Sequence, residues 1–245
     1  MKKTDFFGKK KAITFSYDDG VTYDKRLIEM LDYYGLKCTF NLNSELYGND
    51  DYVEREGVWF HHTRWQPEEA AELYRNHEVA VHTLTHPNLT RTEDAEIIRQ
   101  VNEDQRNLQQ LFKQPVRGMA YPGGGINCNE HVAEILRQHT KVEFARTTIS
   151  TYDFSLPENL LLWNPSVYHI MEPKDKPGMM ELARKFLELE TDEPALFSIW
   201  GHSYEFHFRD AWDEMEEFCK LIAGKDDIFY GTNTEVLLSS RWFRH

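Results

Sequence analysis

The sequence predicts a single α/β domain whose parallel strands close into a barrel or near-barrel. Three observations lead there. Stretches with apolar residues at every second position, which suit strands, alternate along the chain with stretches whose apolar residues recur every three to four positions, which suit helices. Roughly seven strands alternate in this way with six or seven helices, and at 245 residues a closed ring accommodates them better than an open sheet. No Gly/Ser- or Pro-rich linker, internal repeat or abrupt change of composition divides the chain, so residues 1–245 read as one domain with an insertion at about 44–66.

The elements follow in order. In "KKAITFSYDDG", Ile13, Phe15 and Tyr17 alternate with Thr14 and Ser16 as a strand that Gly20 ends. "DKRLIEMLDYYG" places Leu27, Ile28, Leu31 and Tyr34 on one helical face and stops at Gly35. "KCTFNLN" is a strand, and the polar and aromatic insertion from Ser44 to Gln66 precedes the helix "PEEAAELYRNH", which opens at Pro67. "EVAVHTLTH" is the next strand. It leads to the long amphipathic helix "EDAEIIRQVNEDQRNLQQLF", with Ile97, Val101, Leu108 and Leu111 along one stripe. The alternation continues through "VRGMAYP", "NEHVAEILRQH", "KVEFARTT", "DKPGMMELARKFLELE", "PALFSIWGH", "DAWDEMEEFCKLIAG", "DIFYG" and a last helix, "TNTEVLLSSRWF".

Composition narrows the partners. Asp and Glu outnumber Lys and Arg 41 to 28, so the overall field repels nucleic acid and anionic membranes and leaves neutral or cationic small ligands and sugars. The opening "MKKTDFFGKKK" has the lysines of an export signal but only two consecutive apolar residues, and no stretch reaches membrane-spanning length. Three scattered cysteines, Cys38, Cys128 and Cys219, do not make a disulfide framework and suit a reducing compartment. A cytoplasmic protein is the expectation, although a secreted chain trimmed of its signal would read the same way.

In a parallel barrel, active sites gather where strands end and the following loops begin. The strands here end in "DDG", "HTLTHP", "YPGGG" and "GHSYE". Asp18 and Asp19 stand at the first of these tips, where Asp-Gly is equally an ordinary turn signal. His82 and His86 sit where a strand enters a loop, since Val79, Val81, the threonines and Pro87 argue against a helix. Taken alone, such a pair is more often incidental than ligating. Joined by a carboxylate from a neighbouring tip, they compose a set of two imidazoles and one carboxylate, the donors of many catalytic zinc centres.

"TFSYDDG", followed some 60 residues later by "HTLTHP" and then by "RGMAYPGG" and "SIWGH", resembles the polysaccharide deacetylases of the NodB-homology type, carbohydrate esterase family 4. The resemblance runs from Thr14 to His202. It implies a distorted (β/α)7-type barrel that removes acetyl groups from N-acetylglucosamine polymers or O-acetylated xylan. It also implies a divalent metal, usually Zn2+, with Co2+, Ni2+ or Mn2+ as alternatives.

Carried over by position, it makes Asp18 the general base, Asp19, His82 and His86 the metal ligands, and His202 the general acid. The backbone N–H of Tyr121 would hold the oxyanion. Pro122 and the run Gly123 to Gly125 would let the backbone approach the substrate, and Ile199 would line the acetyl pocket. Two adjacent aspartates are needed because a ligand commits its lone pairs to the metal, whereas a base must keep them free for a proton.

The match departs from the family pattern in two places. Arg117, which would orient Asp18 beside the substrate, lies four residues before the tyrosine instead of three. The fourth motif, an acidic residue near a tryptophan, has no match at the right spacing, although Asp153 and Trp163 lie in its region. Arg146, Trp163 and His169 are candidates for the cleft wall, with Trp163 stacking on a sugar ring. Glu205 is either a partner of His202 or a plain loop glutamate, and His61 and His62 are the less favoured extra ligands.

Three functions compete. The first is hydrolysis of an acetyl amide or ester on an acetylated carbohydrate, and the second is hydrolysis of a small cyclic amide or imide at the same centre. The lack of an export segment and the altered motifs favour a small or intracellular substrate. The third is a non-catalytic carbohydrate-binding protein, marked by loss of the base or the acid, and this chain keeps both Asp18 and His202.

Overall fold

The structure is a computed structural model, described here for residues 5–169 and 173–239. Along the chain run β1 (Lys11–Asp18), α1 (Asp24–Tyr33), β2 (Cys38–Leu42), β3 (Asp50–Arg55), β4 (Val58–Thr63) and α2 (Pro67–Leu73). Then come β5 (Glu78–Val81), α3 (Asp94–Phe112), β6 (Gly118–Ala120), α4 (Glu130–His139), β7 (Phe144–Arg146) and β8 (Val167–Tyr168). The last are α5 (Met179–Glu188), β9 (Ala195–Gly201), α6 (Tyr204–Phe208), α7 (Trp212–Ile222) and β10 (Ile228–Tyr230).

The main sheet is parallel throughout and follows the order β7-β6-β5-β2-β1-β9-β8. β10 joins beside β1, pairing Lys11 to Ile13 below the point where β2 takes over the same edge from Phe15 to Asp18. The ring closes through a connecting segment. Trp163 bridges Arg146 of β7 and donates its N–H to the Ala145 carbonyl (3.0 Å), and shortly after it Ser166 donates to the Ser198 carbonyl of β9 (3.0 Å). The architecture is therefore the expected distorted, seven-stranded (β/α) barrel, with β10 as an additional strand.

Strand parity positions the site. On β1 the odd residues face the helices: Phe15 meets Phe218 of α7 edge-on at 6.1 Å, and Tyr17 packs against Phe206 of α6. The even residues face the barrel interior, because successive side chains in a strand point to opposite faces. They build three layers. Ala12, Phe144, Trp163 and Leu196 fill the bottom with Phe6, Val236 and Leu237. Thr14, Asn233, Ser166 and Ser198 hydrogen-bond in pairs across the middle. Ser16, Asn41, Arg146 and Asp18 form the top layer, just under the rim.

Several expected elements carry their local signals. Pro67 opens α2 within a capping box of Gln66 and Glu69, and the Asn129 side chain caps α4. The α3 stripe buries Ile97, Val101 and Leu108. Elements absent from the sequence reading are short or exposed: two-residue β8, five-residue α6, and the antiparallel hairpin β3–β4 inside the insertion. That hairpin turns at Glu56 and Gly57, both with positive φ (53° and 82°), without the usual Asn-Gly or Asp-Gly signal. Of the expected last helix, Asn233 and Thr234 are helical, Glu235–Ser239 forms a π-helical turn, and residues 240–243 lie outside the described residues. Among the described residues, no helix is long and apolar enough to cross a membrane.

Candidate metal centre and catalytic site

Asp19 follows β1 directly, and its φ of 81° turns its carboxylate over the rim. After β5, Thr83 (φ 66°) and His86 (φ 61°) are also left-handed, which folds the loop so that the His82 and His86 rings lie 4.8 Å apart. Such conformations cost about 1–3 kcal/mol each in non-glycine residues and persist where the surroundings impose them. Here Asn43 donates to the Thr83 carbonyl (2.9 Å), the Gln100 side chain accepts from Thr85 N–H (3.0 Å), and Asp104 accepts from the N–H groups of His82 (3.1 Å) and Ser44 (2.8 Å).

His82 donates Nδ1–H to the Ala120 carbonyl at 2.9 Å, which leaves Nε2 with its lone pair. That nitrogen is buried without a partner, and so is Asp19 Oδ1, 3.8 Å away. His86 Nε2 lies 3.6 Å from the same oxygen, and the three donor atoms fall within 4.8 Å of one another. Lone-pair atoms facing each other with nothing between them are costly unless a cation joins them, and two imidazole nitrogens with one carboxylate oxygen make a donor set that suits a divalent ion. Burial brings the pKa of His82 down to about 4, so the ring is neutral and ready to ligate.

Asp18 points inward beneath this group. Burial alone would raise its pKa, but Arg146 and the nearby imidazoles outweigh burial and lower it. Arg146 Nη2 lies 2.5 Å from both carboxylate oxygens, and Asn41 donates to Oδ1 at 2.8 Å. Arg146 is itself held by Ser16 (3.0 Å), the Thr147 carbonyl (3.0 Å) and the face of Trp200 (4.5 Å). Arg117 does not take this part. It precedes β6, at the end of the strand opposite the rim, and pairs with Glu143 at 2.5 and 2.8 Å. The arginine at Asp18 comes from the tip of β7, the strand that follows β6.

His202 follows β9 and donates Nδ1–H to Glu205 Oε2 at 3.3 Å, leaving Nε2 free. Glu205 also accepts from His169 Nε2 (2.5 Å) and from the Tyr168 hydroxyl, while Tyr17 donates to His169 Nδ1 (3.2 Å). Burial would lower the pKa of His202, but Glu205, with Asp19 and Asp18, lifts it to about 9. A Cβ at Gly201 would lie 2.5 Å from the His169 ring, so only glycine lets this network approach the strand. Glu205 is thus a buried partner of the histidine, whereas Asp153 is exposed.

These groups surround a cavity of about 650 Å³ bordered by Asp18, Asp19, His82, His86 and His202. Four expectations change there. The Tyr121 N–H donates to the Arg146 carbonyl at 3.0 Å, completing the β6–β7 ladder, and its hydroxyl donates to Leu161 O (2.7 Å); the residue borders the cavity with its N–H already committed. Pro122 is buried away from the cavity wall, which Gly123 to Gly125 form instead. Ile199, at an odd position of β9, faces the helix layer, and the inward-facing neighbour Trp200 lines the cavity. Trp163 is sealed in the bottom layer against Phe144 and offers no face to a sugar. His62, on β4, is buried and donates to Asp19 Oδ2 at 3.3 Å, while His61 is exposed and pairs with Asp50.

A profile of the polysaccharide deacetylase family matches residues 7–142. No curated protein matches the sequence. Among solved structures, a putative polysaccharide deacetylase from Mycobacterium smegmatis superposes with a TM-score of 0.63 at 15% identity, over 96% of this chain and 91% of that one. The peptidoglycan deacetylase PdaC from Bacillus subtilis gives 0.53 at 16%, over 93% and 90%. BA3943, a CE4 family pseudoenzyme from Bacillus anthracis, gives 0.53 at 19%, over 93% of this chain, which spans only 65% of that one; a mutant of it has restored enzymatic activity. At these identities the likeness establishes the fold.

Proposed function

The chain belongs to the polysaccharide deacetylase family, and from that membership we propose that the protein is a metal-dependent hydrolase removing acetyl groups from N- or O-acetylated carbohydrate. One observation carries the reading: three differently prepared sets of groups converge on a single cavity. Asp19, His82 and His86 would hold a divalent ion, with zinc the natural choice for that donor set. When bound, such an ion acidifies water and polarises an acyl oxygen.

The chain's own residues do the rest. Asp18 is ionised, and its lone pairs are directed by Arg146 and Asn41, so it serves as the base that takes the proton from the attacking water. His202, kept protonated by Glu205, serves as the acid for the departing amine or alcohol. Trp200 and the glycine run from Gly123 to Gly125 wall the space for the acetyl group and its sugar.

The test is a screen of zinc-loaded and chelator-treated protein against chitooligosaccharides, acetylxylan oligomers, monomeric N-acetyl amino sugars and cyclic imides. Acetate release from a carbohydrate, lost on chelation and regained with zinc, is the expected result. Equal release without metal would remove the metal from the reading. Turnover of the imides alone would move the protein to the second reaction class.

A further inference from the structure

We propose that Arg64 is a catalytic residue that donates hydrogen bonds to the acyl oxygen of the substrate, the task for which the Tyr121 N–H is not free. The proposal rests on the deacetylase reading above. Arg64 follows β4, its backbone bridges Val21, and its N–H donates to Asn49 O at 2.8 Å, so it is anchored beside the Asp18–Asp19 turn. The side chain is 8% exposed and lines the same cavity as Asp19, His82 and His86.

A guanidinium carries five N–H donors, and burying its charge without acceptors is costly. Among the described residues the Arg64 guanidinium makes no hydrogen bond. Its nearest carboxylate oxygens, Asp19 Oδ1 and Asp51 Oδ2, lie at 3.8 and 3.9 Å, and Nε has no partner at all. Arg146, the other buried arginine of the cavity region, has its donors filled by Ser16, Thr147 and Asp18. The two arginines therefore differ in kind: one is a finished brace, and the other is a set of donors awaiting an acceptor.

That acceptor follows from what the cavity handles. As water adds to the acetyl carbonyl, the new C–O bond forms and the carbonyl π pair moves onto oxygen, while Asp18 takes the proton of the water. The C–N or C–O bond then breaks, and His202 supplies the leaving group with its proton. Arginine keeps its proton throughout, so Arg64 can stabilise the growing negative charge without altering this balance. The same donors would hold the carboxylate of the product, acetate.

The alternative is that Arg64 is only a counter-ion for Asp19, displaced when metal binds. The two roles separate in Arg64→Met and Arg64→Lys, compared with the wild type after zinc stoichiometry has been checked. The expected result for Arg64→Met is a kcat loss of roughly 10²–10³-fold, the range for removal of an oxyanion donor, with KM little changed. Acetate binding to the zinc-loaded protein, followed by NMR titration, should weaken at least about tenfold, with Arg64→Lys in between. Zinc binding that tightens while kcat and acetate affinity stay unchanged would establish the counter-ion and overturn the proposal. If the wild type turns over no acetylated substrate, the deacetylase reading fails by itself. The acetate titration then still decides for Arg64, and equal affinity in wild type and variant, or none in either, refutes it. Should Arg64→Met not fold, Arg64→Lys gives the same comparison.

Discussion

The cavity has two unlike halves. The half built from barrel strand tips is a closed set of hydrogen bonds: Asp18 is held by Arg146 and Asn41, His82 by Ala120 and Asp104, and His202 by Glu205. The half built from the β3–β4 insertion reaches the same ligand, Asp19, through looser contacts, His62 at 3.3 Å and Arg64 at 3.8 Å. The difference teaches a division of labour. On the proposed function, the barrel rim would fix the groups whose chemistry tolerates little movement, while the appended hairpin would present groups whose partners arrive with the metal and the substrate.

Variants on the barrel side test the strong half of this comparison. Asp19→Ala or His82→Ala should bring metal content from one ion per chain to background, read by elemental analysis; full occupancy in both variants would mean that the metal sits elsewhere. Asp18→Asn should retain the ion and lose roughly 10²-fold or more in kcat, because an amide fills the space but accepts no proton. Near-wild-type turnover would free Asp18 of the role of base.

Glu205→Gln probes the acid. His202 has its pKa raised to about 9, above the ordinary 6.5, so the protonated acid persists until the pH passes about 9. Without the glutamate charge, burial is opposed only by more distant aspartates, and the alkaline limb of kcat/KM should move to lower pH. The sign for stability is the same: the imidazolium–carboxylate pair contributes fully below about pH 6.5 and is lost as pH rises through about 9. His202→Ala should damage hydrolysis of an N-acetyl substrate far more than that of an activated aryl acetate, whose aryloxide leaves without a proton. An unmoved pH limb in Glu205→Gln, or equal losses on both substrates in His202→Ala, would make the pair structural.

The smallest effect is expected on the hairpin side. His62→Gln should weaken zinc affinity by about tenfold, the lower end for a group that orients a ligand, with activity recovered at higher zinc. A loss as complete as that of His82→Ala would erase the distinction between the halves.

Sequence legibility divides along similar lines. Asp18, Asp19, His82, His86 and His202 were readable because each stands where a strand pattern breaks into turn residues. Their supports were harder to read. Arg146 was visible as a charge at the end of the strand "KVEFARTT", yet nothing local says that β7 lies beside β6 with its tip over Asp18. Glu205 was visible three residues after His202, but its burial depends on α6, which is too short to show a period. At Ile199, carried over from the resemblance, parity offered no check: Leu196, Phe197, Ile199 and Trp200 make both faces of β9 apolar, so alternation does not show which face looks inward. Trp163 followed the commoner fate of a tryptophan in a barrel and became packing.

The pairing of β10 with the first half of β1 also governs how the molecule is assembled in time. All three candidate donor residues, Asp19, His82 and His86, precede residue 87, yet the strand that leads into Asp19 completes its ladder only when residues 228–230 return to it. Contacts so distant in sequence are reached late and slow the folding reaction. On a ribosome, the first strand of the barrel would wait through most of translation with an open edge, and a nascent chain cut after β9 would expose that edge to other chains.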